Sequence, residues 1–456
     1  MQVQGQVAFD TRRWTSMPFA WPKTFRRLSA TSIVRQGAGT IFDQGLYSVT
    51  NFLVGVLLAR SLAPEDYALY VIALSVIMAV MIVQRAIISA PYTIRSRDYE
   101  HGELATYTGS AMVHQVVLTA TALLLGSAFV RFGLPAKGFG VSASFAIAAA
   151  GVLVRDFVRS FLLSSLKVRQ SVLVGLSVNA FLLGAILILF AGNRLSVVSG
   201  FLAVGICSLI PSVIAFLANA KIRLSRTAIV TDLLRNLRLG KWMLGSAAIS
   251  VLSSQAYVWL LALLADSKAV AILGVTSSLA NLLSPLLQGA NAVLLPKMVQ
   301  SKDHGGLVAI TRTARRAVVF LSTIFVAWLA CGIVVGNFLL ESIYSVKYSG
   351  YGAVLVILIG YSLASAVTVP ISTALDALQK SEVSFKSSLA SLVITVSVGT
   401  ILIYEWGVYG AALSALLANT VNLFLRWRGL SSLIRKLESS EIQSSDFGVT
   451  SLRRLK

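Results

Sequence analysis

The stretch LVGVLLARSLAPEDYALYVIALSVIMAVMIVQRAIISAP, residues 53–91, decides the fold. Apolar residues run up to Ala59-Arg60, break over a turn carrying Pro64, Glu65 and Asp66, and resume from Tyr67 to Pro91. Each arm belongs to an apolar run of roughly the 20 residues that a helix needs to cross hydrocarbon. A turn this short joins only antiparallel neighbours, so the stretch predicts a membrane-spanning helix hairpin. A second copy, LLALLADSKAVAILGVTSSLANLLSPLLQGANAVLLP, occupies 260–296. There Asp266 stands in place of Arg60, Lys268 falls in the turn, and Pro296 closes the second arm as Pro91 closes the first. The chain reads as two related halves, each led by this hairpin.

Composition agrees. The chain has 456 residues, of which 56% are hydrophobic and 12% charged, against about a quarter charged in soluble domains. With a mean hydropathy of +0.79, it reads as an all-α integral membrane protein. The two cysteines, Cys207 and Cys331, lie inside apolar runs and offer no metal or disulfide spacing. Three histidines scattered at 101, 114 and 304 give no basis for a metal site.

Hydropathy predicts about twelve spans, near 38–59, 67–90, 104–130, 139–165, 172–191, 197–218, 242–264, 269–296, 312–336, 351–375, 386–404 and 408–427. The expected organisation is a basic cytoplasmic arm (1–36), a six-helix bundle (37–218), a cytoplasmic linker (219–241), a second six-helix bundle (242–428) and a cytoplasmic tail (429–456). The arm interleaves Arg12, Arg13, Lys23, Arg26, Arg27 and Arg35 with Trp14, Phe19, Trp21 and Phe25. No apolar core follows quickly enough for a cleaved signal peptide, and an interfacial arm is expected.

The basic residues set the orientation. Of the 39 lysines and arginines, 31 fall on the side of the N-terminal arm, 6 on the opposite side, and Arg155 and Arg159 within a span. That bias over short loops predicts cytoplasmic N- and C-termini. It also accounts for the net charge of +21 as a basic face against anionic lipid, with no need for nucleic acid. Residues 165–203 resemble 377–413, each a polar turn, an apolar span, a short outer turn and a glycine-containing span (Gly200, Gly410). Because each half holds an even number of spans, this predicts a parallel repeat about a pseudo-two-fold axis along the membrane normal.

Polar groups at membrane depth are the candidate site. Arg155 and Arg159 are four apart and share a helix face. Their guanidinium forks suit a diphosphate, or they snorkel to headgroups and pair with Asp156. Asp43, Gln44 and Asn51 line one face of the first span, where Asp43 serves a cavity wall, a proton or cation site, or an ion pair with Arg85. Arg85 itself either makes that pair or lines the inner vestibule. His114, beside Gln115, is a packing residue or a proton relay. Gln255, Asn281, Gln288 and Asn291 put amides on spans seven and eight; Gln288 and Asn291 share a face and bind sugar hydroxyls or join helices. Asp376 is expected at the cytoplasmic rim. No GxxxxGK[ST], HExxH or GxSxG occurs. The outer loops are too short to hold an acceptor for membrane polymerisation, so neither enzyme activity nor a cofactor is expected.

The opening hairpin also carries a resemblance. LLARSLAPEDYALYVIALSV resembles the L-A-R-x-L-x-P-x-x-Y/F-G segment that joins the first two spans of Wzx-type polysaccharide flippases, within the multidrug/oligosaccharidyl-lipid/polysaccharide exporter superfamily. Leu58-Ala59-Arg60, Pro64-Glu65, Tyr67 and Tyr70 match, and Ala68 replaces the usual glycine. The resemblance implies alternating access through a cationic cavity, carrying an undecaprenyl-diphosphate-linked oligosaccharide between leaflets of a bacterial inner membrane. It implies that substrate as partner, with a polysaccharide polymerase and export machinery downstream. Arg155, Arg159, Arg85 and Asp43 are cavity candidates by position, because the motif assigns them no roles. A cation-coupled drug exporter of the same superfamily, using Asp43, and a membrane enzyme of polysaccharide assembly are the alternatives. A lipid II flippase would carry spans beyond twelve.

Overall fold

A computed structural model gives the fold. It describes residues 30–96, 98–133 and 138–453, with side chains from 45 to 435 apart from short stretches such as 127–138 and 302–305. Residues 1–29 of the expected basic arm lie outside the described residues. Among those described, every regular element is helical.

The first half comprises α1 (Ala30–Ser61), α2 (Pro64–Arg95), α3 (His101–Gly133), α4 (Gly138–Ser164), α5 (Val168–Ala191) and α6 (Val197–Asn219). The second comprises α7 (Arg226–Leu264), α8 (Ser267–Ser301), α9 (Gly306–Ile343), α10 (Gly352–Ala377), α11 (Ser381–Val396, continuing over 398–406) and α12 (408–453). Eight stretches among the described residues are long and apolar enough to cross a membrane on their own, and α7 adds the shorter Val251–Leu264. With α1, α3 and α11 they form two six-helix bundles.

Local chemistry sets the turns. Pro64 opens α2 with Glu65 and Asp66 in the first turn, where a fixed φ and negative charge both favour a helix start. In the second half Asp266 does the same work by capping α8, its Oδ1 accepting from the Ala269 amide at 2.7 Å. Two glycines reverse the chain within what is otherwise continuous helix. Gly306 (φ 58°, ψ −150°) separates α8 from α9, and Gly407 (φ 54°, ψ −124°) separates α11 from α12. A Cβ added at Gly410 would meet the Leu402 carbonyl at 1.8 Å, and one at Gly399 would meet Ser414 Oγ at 2.2 Å. Those approaches put 399–402 against 410–414, as two antiparallel arms around residue 407 require. Within the first half, α4 and α6 cross backbone to backbone: a Cβ on Gly151 would lie 2.2 Å from the Gly205 carbonyl, the close approach that small residues allow between membrane helices.

The buried core is distributed unevenly. One large cluster takes residues from both halves, including Leu58, Tyr67, Tyr70 and Phe201 with Leu273, Val275, Tyr344 and Leu355. It lies at the end of the bundles where α1 turns into α2 and α7 into α8. At the other end the core divides. Tyr92, Tyr107, Phe157 and Phe161 pack within the first half, and Met298, Ile310, Ile371 and Leu375 within the second. The two cores merge at one end and are separate at the other.

Three boundaries differ from the sequence reading. The expected linker 219–241 is helical from Arg226 and continuous with α7. It docks on the first half, where Tyr107 Oη donates to Asn236 Oδ1 at 3.0 Å and Arg223 N bonds the Ala105 carbonyl. The loop expected over 297–311 is helix except for its turn at Gly306, and the tail beyond 428 prolongs α12 to Arg453. In all three, hydropathy marked where helices leave the apolar layer, whereas the backbone hydrogen bonds continue into polar surroundings.

Gly407→Val forces a branched side chain into a positive-φ turn and is expected to cost about 1–3 kcal/mol, seen as a lower melting temperature of the purified protein. Gly184→Ala, in α5 with open space around the added carbon, is expected to be neutral or mildly stabilising.

Candidate functional site

A cavity of about 410 Å³ lies between the halves. Its walls come from the two hairpins, α1 and α2 on one side and α7 and α8 on the other, with contributions from α4, α5 and α6. The joined core closes one end. Tyr67 stacks near Tyr70, Tyr70 on Phe201, and Phe52 meets Tyr344 edge-on. Trp259 of α7 donates its indole N–H to Ser75 Oγ of α2 at 2.8 Å, tying the walls together. Above this the polar turns cross-link as well. Lys347, between α9 and α10, donates to the carbonyls of Arg60 (3.1 Å) and Leu62 (2.7 Å), while Arg60 donates to the Ser342 carbonyl. Burial there pushes the Lys347 ammonium below its ordinary pKa.

The lining is aromatic, hydroxylic and amidic. Tyr47, Ser48 and Asn51 of α1 face Gln255 of α7 and Ser277 and Asn281 of α8 across it. Among the described residues, Arg155 is the single charged side chain in the lining. Its guanidinium carbon sits 4.5 Å from the centre of the Tyr47 ring, a cation–π contact that helps fix the orientation of the fork at the cavity wall.

Other candidates take different places. Arg159 lies one turn beyond Arg155, outside the cavity lining. Arg85 of α2 makes a forked ion pair with Asp156 of α4, Nε to Oδ2 at 3.0 Å and Nη2 to Oδ1 at 2.5 Å. Arg85 therefore has Asp156 as its structural partner, where the sequence had pointed to Asp43. The backbone of Asp43 is in α1, but its side chain lies outside the described residues. Buried amides extend the pair. Gln84 donates to the Leu153 carbonyl at 3.0 Å and accepts from Gln115, which also donates to Thr119. This network sits where α2 widens into a π turn over Arg85–Ser89, a helix irregularity often found at functional positions.

His114 Nε2 lies 2.9 Å from the Ile229 carbonyl and fastens the docked start of α7. Asn291 Oδ1 accepts from Thr373 Oγ1 at 3.0 Å, joining α8 to α10. Gln288 is exposed, and neither amide lines the cavity. Asp376 is exposed near the end of α10. The sequence reading overlooked Arg426 of α12, whose guanidinium donates to Ser387 (3.1 Å), Asn422 (2.9 Å), Ser388 (3.1 Å) and Ser372. The signal was present in the serines at 384, 387, 388 and 391, one polar stripe along α11.

No family model matches the sequence, and no curated protein matches it. Solved structures do. The chain is similar to an inward-facing multidrug resistance MATE family transporter of the MOP superfamily (TM-score 0.71, 14% identity, covering 87% of this chain and 96% of that one). It is similar to the lipid II flippase MurJ in an inward closed conformation (TM-score 0.69, 13% identity, 87% of each chain). Against an outward-facing MATE transporter the TM-score is 0.58 at 12% identity, covering 89% and 96%. The fold is thus that of a two-bundle membrane transporter. It is the fold that MATE transporters share with MurJ, and the Wzx resemblance of the opening hairpin is consistent with it.

The Arg85–Asp156 pair predicts an asymmetric cycle, because the arginine side chain is 49% exposed and the aspartate 8%. Arg85→Ala leaves a carboxylate buried without its partner and is expected to cost about 3 kcal/mol. Asp156→Asn leaves a cation that reaches water and is expected to cost about 1 kcal/mol. The double variant should be more stable than Arg85→Ala alone, as read from thermal unfolding in lipid nanodiscs.

Proposed function

We propose that the protein is a flippase for an undecaprenyl-diphosphate-linked oligosaccharide in exopolysaccharide or O-antigen assembly. The observation that carries this reading is the lining itself. One guanidinium, stacked on Tyr47, stands among tyrosines, hydroxyls and amides from both halves. An anionic diphosphate matches the guanidinium fork, and sugar hydroxyls match the serine, asparagine and glutamine groups.

The mechanism is alternating access. With the bundles parted at the basic end, the head group enters from the cytoplasmic leaflet, passes the level of Arg159 and of the Arg85–Asp156 pair, and reaches Arg155 in the cavity. Its polyprenyl tail stays in lipid between the halves. Exchange of the joined end for the parted end then delivers the head to the periplasmic leaflet. The protein acts in a bacterial inner membrane with both termini cytoplasmic, hands its cargo to polysaccharide polymerase and export machinery, and performs no covalent chemistry. The runner-up, a cation-coupled drug exporter, rests on Asp43 in α1 and on the likeness to MATE structures.

Cells lacking the chain, complemented with Arg155→Ala, are expected to lose about 10- to 100-fold in surface polysaccharide, the worth of one charge-assisted hydrogen bond. Asp43→Asn should leave polysaccharide largely intact. Normal polysaccharide with Arg155→Ala, together with drug sensitivity that follows Asp43→Asn, would favour the exporter.

A further inference from the structure

A second cavity, about 290 Å³, opens between α8 and α9. Val293, Leu294 and Lys297 line it from α8, and Arg316, Phe320 and Leu321 from α9. The helices are antiparallel about Gly306. Lys297 comes one turn after Val293 and Arg316 one turn before Phe320, so both cations stand at the Gly306 end and the apolar residues run away from it. Val293 is 55% exposed and Phe320 61%. The groove is an apolar trough with a basic mouth.

We propose that this groove binds one anionic phospholipid of the surrounding leaflet, its phosphate held by Lys297 and Arg316 and an acyl chain lying on Val293, Leu294, Phe320 and Leu321. Charge complementarity selects the head group, since basic pockets between membrane helices favour anionic lipids. Lys297, Arg316 and the Thr313 hydroxyl can hold a phosphate, but the apolar floor is covered only if that phosphate carries an acyl chain. Length selects the tail. The lining runs from 290 to 297 on α8, which at 1.5 Å per residue is about 12 Å. That matches most of one leaflet's share, about 15 Å, of the hydrocarbon layer, whereas a polyprenyl carrier is much longer. The same helix lines the central cavity as far as Pro285, so a lipid seated here braces α8 directly beyond the transport path. This assignment does not depend on which substrate the cavity carries.

The test uses the purified full chain in detergent, titrated with phosphatidylglycerol, phosphatidylcholine or undecaprenyl phosphate and read by native mass spectrometry. Wild-type protein should retain one phosphatidylglycerol in preference to phosphatidylcholine. Lys297→Gln/Arg316→Gln should weaken retention roughly 30-fold, at about a few-fold per basic contact. Ala317→Phe fills the groove without changing charge and should displace the lipid as well, while Arg194→Gln on the opposite loop should not. Folding of each variant is checked by its elution profile and melting temperature. Equal retention by the double variant, equal binding of phosphatidylcholine, or displacement by equimolar undecaprenyl phosphate would each overturn the assignment.

Discussion

The structure depends on the buried cores of the two bundles merging at one end only. At that end α2 meets α8 with almost no space between them: a Cβ added to Gly274 would lie 2.5 Å from a methyl of Val71 and 3.3 Å from the Tyr67 ring. Lipid tails are as apolar as leucine, so burying more hydrocarbon gives little drive for helices to associate. Close packing and interhelical hydrogen bonds must supply it. Glycine at 274, the Trp259–Ser75 bond and the Lys347 and Arg60 ties provide both on the side where the halves touch. At the basic end the buried cores of the described residues are separate, and the halves meet there through the docked start of α7, by Tyr107–Asn236 and His114–Ile229. The cavity is the consequence of that asymmetry.

The central cavity and its chemistry follow from the two hairpins. Each hairpin brings polar side chains to the pseudo-symmetry axis, Tyr47 and Asn51 from one and Ser277 and Asn281 from the other. A pseudo-symmetric pair of polar links then braces each hairpin against its own bundle. In the first half Arg85 and Gln84 of α2 hold Asp156 of α4; in the second, Asn291 of α8 holds Thr373 of α10. A charged group costs about 2.5–3.5 kcal/mol at a helix centre, which is why Asp156 is held by a forked arginine and a glutamine. Arg155 stands apart from that pair, facing the cavity and backed by an aromatic ring.

Much of the fold was legible in the sequence. Apolar runs of membrane length, broken by Pro64 and Asp266, gave the two hairpins, and a gap at 405–407 marked the reversal that Gly407 makes. Helix that continues past the apolar layer was not legible, because the residues over 226–241 and 297–311 carry the charge of loops while keeping their backbone bonds. For the site, depth and spacing marked out Arg155, Asp156 and Arg85. Which of them would pair could not be read, since Arg85 and Asp156 are 71 residues apart and meet only through the packing of α2 on α4. Arg426 was overlooked because a lone arginine near a span end reads as a headgroup contact, and its serine partners lie on two other helices.

The most direct test of the account is the sidedness of the lipid-linked oligosaccharide in cells with and without this chain, read with a membrane-impermeant glycan-cleaving probe. Without the chain the intermediate is expected to accumulate in the cytoplasmic leaflet, protected in intact spheroplasts and cleaved in inverted vesicles. An unchanged distribution between the leaflets, with no second flippase active in the same cells, would contradict it.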